Sequence, residues 1–323
     1  MLQNVSKDTP LTKELEPLIV LYYRRPFREI IRALMRPLAS NKNGGRRIMS
    51  TGIVQRRLAS VSEALLGHEF YFARDPRNVI NWYELRVYSQ NGEDGILLYI
   101  FSKIGVTNRT FVEFGVGEGK QCNTANLCLN LGWRGLMMDS SRPHVYSALR
   151  YYRHLGKGAA DVKILHCNVT AENINSTLLQ NGLRGDIDLL SIDIDGNDYW
   201  VWKAIDAIAP RVVVIEYNPL LGHTQSLTVK YDPNFDRFGF HSSGTHHGAS
   251  LAAMERLGST KGYTLVGCDS SGVNAFFVRR DLARGKISAV SPEDAYYPSA
   301  RWSSKLSLEK QFDLADSLDF IKV

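Results

Sequence analysis

Glu113-Phe114-Gly115-Val116-Gly117-Glu118-Gly119 decides the fold: an acid near a strand end, then glycine at every second position. The stretch Thr110 to Phe114 (TFVEF) leading into it reads as a buried strand, so the glycines fall on a strand-to-helix turn. A loop without β-carbons lets backbone amides approach a ligand, and the following helix presents its amino terminus to it. The spacing excludes two common nucleotide loops. G-x-G-x-x-G would need glycine where Lys120 or Cys122 stands, and no GxxxxGK[ST] is present.

Outward from this loop the chain alternates helical and strand-like stretches, the pattern of an α/β domain with a mostly parallel sheet. Gly92 to Lys103 reads as a helix with acidic residues in its first turn. Further strands are expected at Gly135–Asp139, Lys163–Cys167, Ile187–Ile194 and Arg211–Tyr217. Tyr263–Cys268 and Ala275–Arg279 flank Ser270, Ser271 and Gly272 and read as an antiparallel hairpin closing the sheet edge. Asp139 ends the second strand, where a carboxylate can accept from both ribose hydroxyls of a nucleotide or else cap the next helix. Asn168 ends the third strand, as a ligand contact or a turn residue.

The glycine loop resembles the first motif of class I S-adenosylmethionine-dependent methyltransferases. Tyr88-Ser-Gln-Asn-Gly-Glu-Asp-Gly95, Ile192-Asp-Ile-Asp-Gly-Asn-Asp198, Gly248-Ala-Ser-Leu251 and Gly272-Val-Asn-Ala-Phe-Phe-Val278 narrow the resemblance to the FkbM-like group, over positions 83–281. It implies a doubly wound, mostly parallel seven-stranded sheet with an antiparallel carboxy-terminal hairpin, binding S-adenosyl-L-methionine. Carried onto this chain, the cofactor residues are Gln90, Glu93, Asp94, Glu113, Gly115, Gly117, Gly119, Asp139, Ser140, Asn168 and Asp193. The implied reaction is methylation of an oxygen on a sugar, glycan or polyketide-like acceptor. Where this chain has His246 and His247 before Gly248, aromatic residues are expected in relatives.

Chemistry belongs at the carboxyl ends of the parallel strands. There the fourth strand delivers Asp193, Asp195 and Asp198, and the fifth delivers Glu216 and Asn218. So much like charge repels itself unless a cation, a proton or water intervenes. Asp193, Asp195 and Glu216 suit a hard divalent ion such as Mg²⁺, whereas an EF-hand is excluded because DIDGND places its glycine fourth. Without a metal, Asp193 or Asp195 touches cofactor or acceptor and Asp198 caps the helix beginning near Tyr199. Methyl transfer to oxygen needs a base, for which Asp193, Asp195, Glu216 and His246 are the candidates. His223, His241 and His247 lie in the same stretch, each equally readable as a surface loop residue. Tyr199, Trp200, Trp202 and Tyr217 offer sugar-stacking faces or core packing.

Of 323 residues, 44% are hydrophobic and 22% charged, which excludes disordered and collagenous chains. Residues 1–60 hold 12 Lys and Arg against 4 Asp and Glu, while the remainder holds 27 against 29. A near-neutral body argues against nucleic-acid binding. Three segments are expected: a basic helical extension over 1–60, the methyltransferase-like domain over 61–290, and a tail over 291–323. Within the extension, Phe27, Ile30, Ile31, Leu34, Met35 and Leu38 recur at helical spacing among Arg24, Arg25, Arg28, Arg32 and Arg36. The basic amphipathic helix over 24–38 suits a peripheral membrane contact or a contact in a homo-oligomer. No membrane span and no secretory signal is read, so a cytoplasmic protein is expected, its four unpaired cysteines being reduced packing residues. A binding protein that has lost catalysis, and a metal-dependent enzyme of another class, remain open as alternatives.

Overall fold

The computed structural model describes residues 77–155, 161–299, 307, 310, 313 and 317–323. The basic extension, including the helix expected over 24–38, lies outside the described residues.

Seven strands form one sheet in the order β3-β2-β1-β4-β5-β8-β7. They are β1 (Thr110–Phe114), β2 (Arg134–Asp139), β3 (Val162–His166), β4 (Gly185–Ile192), β5 (Ile208–Glu216), β7 (Tyr263–Cys268) and β8 (Asn274–Arg279). The first five pair in parallel, and β8 runs antiparallel to both β5 and β7. This is the mostly parallel seven-stranded sheet that the sequence led one to expect, with the antiparallel hairpin at its edge. The hairpin's second strand, β8, is the one inserted next to β5.

Parallel strands flanked by helices are buried on both faces, which is why β1 and β5 read as near-continuous apolar runs. Alternate residues of β1 serve opposite layers: Phe111 joins the core beneath helices α1 (Glu93–Ile104), α2 (Ala125–Leu131) and α3 (Arg142–Leu155). Val112 and Phe114 join the core beneath α4 (Ile174–Gln180), α5 (Asp198–Ala204) and α6 (Leu251–Thr260). Trp202 and Tyr199 belong to this second layer, so they are packing residues. Cys122, Cys128 and Cys268 are buried free thiols, and Cys167 is half-buried.

Residues 291–323 do not form a separate appendage where they are described. Ala295, Tyr296 and Tyr297 lie in the second core layer, and the Tyr217 hydroxyl donates to the Tyr297 carbonyl at 2.9 Å. Strand β9 (Phe320–Lys322) pairs antiparallel with β6 (Leu227–Val229) beside the loops that cover the strand ends.

The amino-terminal end of the sheet is held by one buried ion pair. The Asp188 carboxylate lies 3.0 Å from Arg211 Nε and accepts the backbone amides of Thr107, Asn108 and Arg109 at 2.7–3.0 Å. Asp188→Asn leaves the Arg211 guanidinium buried beside a neutral amide, and is expected to cost about 3 kcal/mol in urea unfolding. A loss below ~1 kcal/mol would show that the clamp is dispensable.

Candidate active site

The carboxyl ends of β1, β2, β4 and β5 open into a cavity of about 640 Å³. Gln90, Gly115, Gly117, Asp139, Ser140, Asn168, Asp193, Asp195 and Glu216 all line it. A smaller chamber of about 380 Å³ adjoins it, sharing Gln90, Asn91, Gly115, Gly117 and Asp193 and adding Glu93 and Glu113.

The three loop glycines have different reasons to be glycine. Gly115 has φ +71°, and a Cβ on it would stand 1.5 Å from the Asp193 carbonyl oxygen, so the exits of β1 and β4 touch there. Gly117 has φ +53°, and a Cβ on it meets nothing within 4 Å, so this position faces open space. Gly119 corrects an expectation: its Cβ would meet the Tyr152 ring at 2.9 Å and Ala148 at 3.1 Å on α3. It is glycine to pack on that helix, and it lines neither chamber.

The acids around the loop hold its shape. Glu113 Oε1 accepts the Asn123 amide at 2.8 Å and the Ser191 hydroxyl at 3.1 Å, while Oε2 accepts the Thr124 amide at 3.0 Å and its hydroxyl. Asp139 serves both expected roles in part. Its Oδ2 accepts the Gly117 amide at 2.7 Å and its Oδ1 the Ser141 amide at 2.8 Å, capping the start of α3, yet its side chain still lines the cavity. Asn168 Nδ2 reaches the Pro233 carbonyl at 3.4 Å from the same wall.

Asp94 is a second correction. Its Oδ2 accepts the amides of Val87, Tyr88 and Ser89 at 2.7–2.9 Å, and it lines neither chamber. It bears on a ligand only by shaping the turn that carries Gln90 and Asn91. Glu93 does similar work, accepting from the Asn91 amide at 2.7 Å and Asn274 Nδ2 at 2.9 Å. Burial pushes the Asp94 carboxyl up to about 6 from 3.8 despite those three donors. A raised folded-state value means that the native state binds the extra proton between pH 3.8 and about 6, so this group's contribution to stability falls as pH rises through that window. The stability of the wild type relative to Asp94→Asn is therefore expected to decline from pH 4 to pH 6 in denaturant titrations. A rise over the same range would contradict this assignment.

Asp193, Asp195 and Glu216 converge, each offering an oxygen within 4.8 Å of the others. Burial, then Asp195 and Asp198, push the Asp193 carboxyl well up; burial, then Asp193 and Asp195, do the same to Glu216. Asp198 stands apart from the convergence. It opens α5 and accepts the amides of Ile194 at 2.8 Å and Gly196 at 2.9 Å, folding the DIDGN turn back on itself, while burial raises it to about 6. Asp195 is held with φ +57° in that turn.

Arg237, which no motif marked, and His247 complete the cluster. Arg237, on a helical turn over Arg237–Phe240, pairs with Asp195 and donates from NH2 to His247 Nε2 at 2.9 Å. An arginine only donates, so His247 Nε2 is the acceptor and its proton sits on Nδ1, which points toward Glu216 Oε2 at 3.7 Å. Burial, then the Arg237 charge, hold His247 well below 6.5, so the imidazole is neutral at pH 7. Both His247 Nδ1 and Glu216 Oε2 are buried without a hydrogen-bond partner.

His246 is the third correction. Its Nε2 contacts the Asp319 carbonyl at 3.1 Å, and its ring lies among Phe235, Phe240 and Phe320, away from the cavity. The chain bends at His246, where the His247 amide donates back to the Thr245 carbonyl at 3.1 Å, and of the pair only His247 lines the cavity. His223 packs on Tyr296 and His241 pairs with Ser243, neither at the carboxylates.

No family model matches the chain, and no curated protein matches it. Solved structures do resemble it. A magnesium protoporphyrin IX methyltransferase from Synechocystis PCC 6803 with bound SAH is 13% identical, with a TM-score of 0.39, over 58% of this chain and 81% of that one. An S-adenosylmethionine-dependent methyltransferase from Clostridium acetobutylicum is 12% identical (TM-score 0.38; 58% and 92%). An O-methyltransferase from Bacillus cereus in complex with SAH is 17% identical (TM-score 0.36; 56% and 76%). At these values the likeness is one of outline.

Proposed function

We propose that this chain is an S-adenosylmethionine-dependent O-methyltransferase of the FkbM-like kind, acting on a sugar or glycan-type hydroxyl. One observation carries the reading: segments far apart in sequence, each part of the resemblance, line a single cavity. Gln90 and Asn91, Gly115 and Gly117, Asp193 and Asn197, and Gly272 and Val273 come from four such segments. Against a Rossmann-type dinucleotide enzyme stands the loop itself, which has Lys120 or Cys122 where G-x-G-x-x-G needs its last glycine.

The Gly115–Gly117 backbone, Asp139, Ser140, Asn168 and Gln90 are the residues that would hold the cofactor, with Glu113, Glu93 and Asp94 bracing them. When bound, S-adenosylmethionine supplies an electrophilic methyl group. The carboxylates supply the base. Burial and the neighbouring aspartates make Asp193 and Glu216 better proton acceptors than exposed acids, which suits them to take a hydroxyl proton near neutral pH. Neutral His247 turns its Nδ1 proton toward Glu216, 3.7 Å away. Asn197 on the same wall holds an unpartnered Oδ1 that a hydroxylated acceptor could reach, whereas the Asn218 side chain is taken up by the Thr245 and His247 carbonyls and the Leu220 amide.

A divalent cation such as Mg²⁺ would take Asp193, Asp195 and Glu216, and the unpartnered Glu216 Oε2 suits that role. It would lower the pKa of an acceptor hydroxyl. Arg237 already neutralises one of the three ligands, so a cation is an optional part of the proposal. The protein is taken to be cytoplasmic, with no nucleic-acid partner. No helix among the described residues is long and apolar enough to cross a membrane. Residues 24–38 are left to a membrane or subunit contact.

The test is a screen of sugars and glycan precursors with a labelled methyl donor, run with and without a chelator. Transfer to a hydroxyl is the expected result. Tight cofactor binding with no transfer to any acceptor would favour a binding protein. Activity lost to the chelator and restored by Mg²⁺ would assign the metal, and indifference would remove it.

A further inference from the structure

Five of the nine large hydrophobic side chains that are exposed among the described residues lie on two elements flanking the cavity mouth. Phe238 and Phe240, 67% and 50% exposed, sit on the turn that carries Arg237 into the site. Tyr146, Leu149 and Leu155 are exposed on α3, whose first turn lines the opposite side of the mouth through Ser141 and His144. Leu149 and Leu155 follow along α3 away from the mouth, but Tyr146, Phe238 and Phe240 beside one opening are more than singly scattered apolar groups.

The charge on α3 is one-sided, and of the exposed acids near it Glu118 is paired with Lys120 and Asp236 caps the Arg237–Phe240 turn. Helix α3 reads RPHVYSALRYYRHL and contains no acid. Arg142, Tyr146, Leu149, Arg150 and Arg153 recur at 4-, 3-, 1- and 3-residue steps, which puts them on one exposed stripe. The nearest buried acid, Asp139, is engaged by the Gly117 and Ser141 amides. A solvated helix face would mix signs and carry few large apolar groups. Arginines interleaved with Tyr and Leu on one side of an opening, and phenylalanines on the other, match an anionic, partly apolar surface.

We propose that this rim, α3 together with the Arg237–Phe240 turn, docks on a membrane surface bearing anionic lipid, so that the cavity opens toward the headgroup layer. Phe238 and Tyr146 enter the headgroup boundary while Arg142, Arg150 and Arg153 pair with lipid phosphates. An acceptor carried on a lipid would then reach the carboxylates without leaving the interface. Docking itself needs neither cofactor nor chemistry, so it stands or falls apart from the proposed reaction.

Full-length protein is sedimented with vesicles of phosphatidylcholine alone or with about one-third phosphatidylserine, at low and high salt. Binding to the anionic vesicles at low salt, weakened by salt, is expected for the wild type. Arg142→Gln/Arg150→Gln/Arg153→Gln is expected to weaken it at least about tenfold, and Phe238→Ser to weaken it further, with circular dichroism unchanged. Wild-type protein that ignores anionic vesicles would overturn the proposal. So would a triple variant that binds as the wild type does, since the extension over 1–60 would then carry the contact alone. A short oligonucleotide serves as the competing probe. Tighter binding to it than to vesicles, lost in the triple variant, would assign the face to nucleic acid instead.

Discussion

Gly117→Val is expected to fold like the wild type and to bind S-adenosylmethionine at least about 100-fold more weakly, a change of ~2.7 kcal/mol. A Cβ at this position meets no protein atom within 4 Å, so the valine clashes with nothing in the protein and projects into the space left for a ligand. The φ of +53° adds a conformational cost of about 1–2 kcal/mol, small enough for the domain to survive. Gly115→Ala is the contrasting variant. Its Cβ would stand 1.5 Å from the Asp193 carbonyl, so the crossing of the β1 and β4 exits must move, and stability falls together with binding. Measuring both variants by calorimetry and thermal unfolding separates a ligand-facing glycine from a packing one. Gly117→Val with wild-type affinity would mean that the cavity beside it is not the cofactor's.

Removing charge from the carboxylate convergence should separate turnover from stability. Asp193→Asn and Glu216→Gln keep size and shape, and each is expected to lower methyl transfer by about 10²–10⁴ with cofactor affinity largely retained for Glu216→Gln. Burial and then Asp195 and Asp198 raise Asp193, and burial and then Asp193 and Asp195 raise Glu216, so each charge costs native stability once the pH exceeds its unfolded value, and the cost grows as pH rises toward the folded value. Both variants should therefore melt at or above the wild-type temperature at pH 8. A lower melting temperature in both would show that the charges hold the fold together. Full activity in either would remove that residue from the reaction.

The sheet was legible because its strands are buried on both faces and so write themselves as short apolar runs. TFVEF was placed to the residue, and the other strands of the sheet to within three residues at either end. Strand-end positions were equally readable: Asp139, Asp193 and Glu216 fall at the carboxyl ends of β2, β4 and β5, and a parallel sheet gathers such ends on one edge. What could not be read was direction. Gly115, Gly117 and Gly119 look alike in sequence, yet one avoids a carbonyl, one faces open space and one packs against Tyr152. His246 and His247 stand side by side in a bend and differ in which way each ring turns, and the direction of His246 is fixed by Phe320 and Asp319, over 70 residues away. Arg237 carried no motif because its role depends on long-range closure of a loop onto Asp195. The same holds for the tail, whose Tyr297 and β9 are placed by contacts with Tyr217 and β6.

Calorimetric titration of the wild-type protein with S-adenosylmethionine and with its demethylated product tests the central claim most directly. Saturable binding of both at one site per chain, abolished together by Gly117→Val, is the predicted result. A well-folded protein that binds neither compound would contradict the assignment of the Gly115–Gly117 loop and Asp139 as a cofactor site.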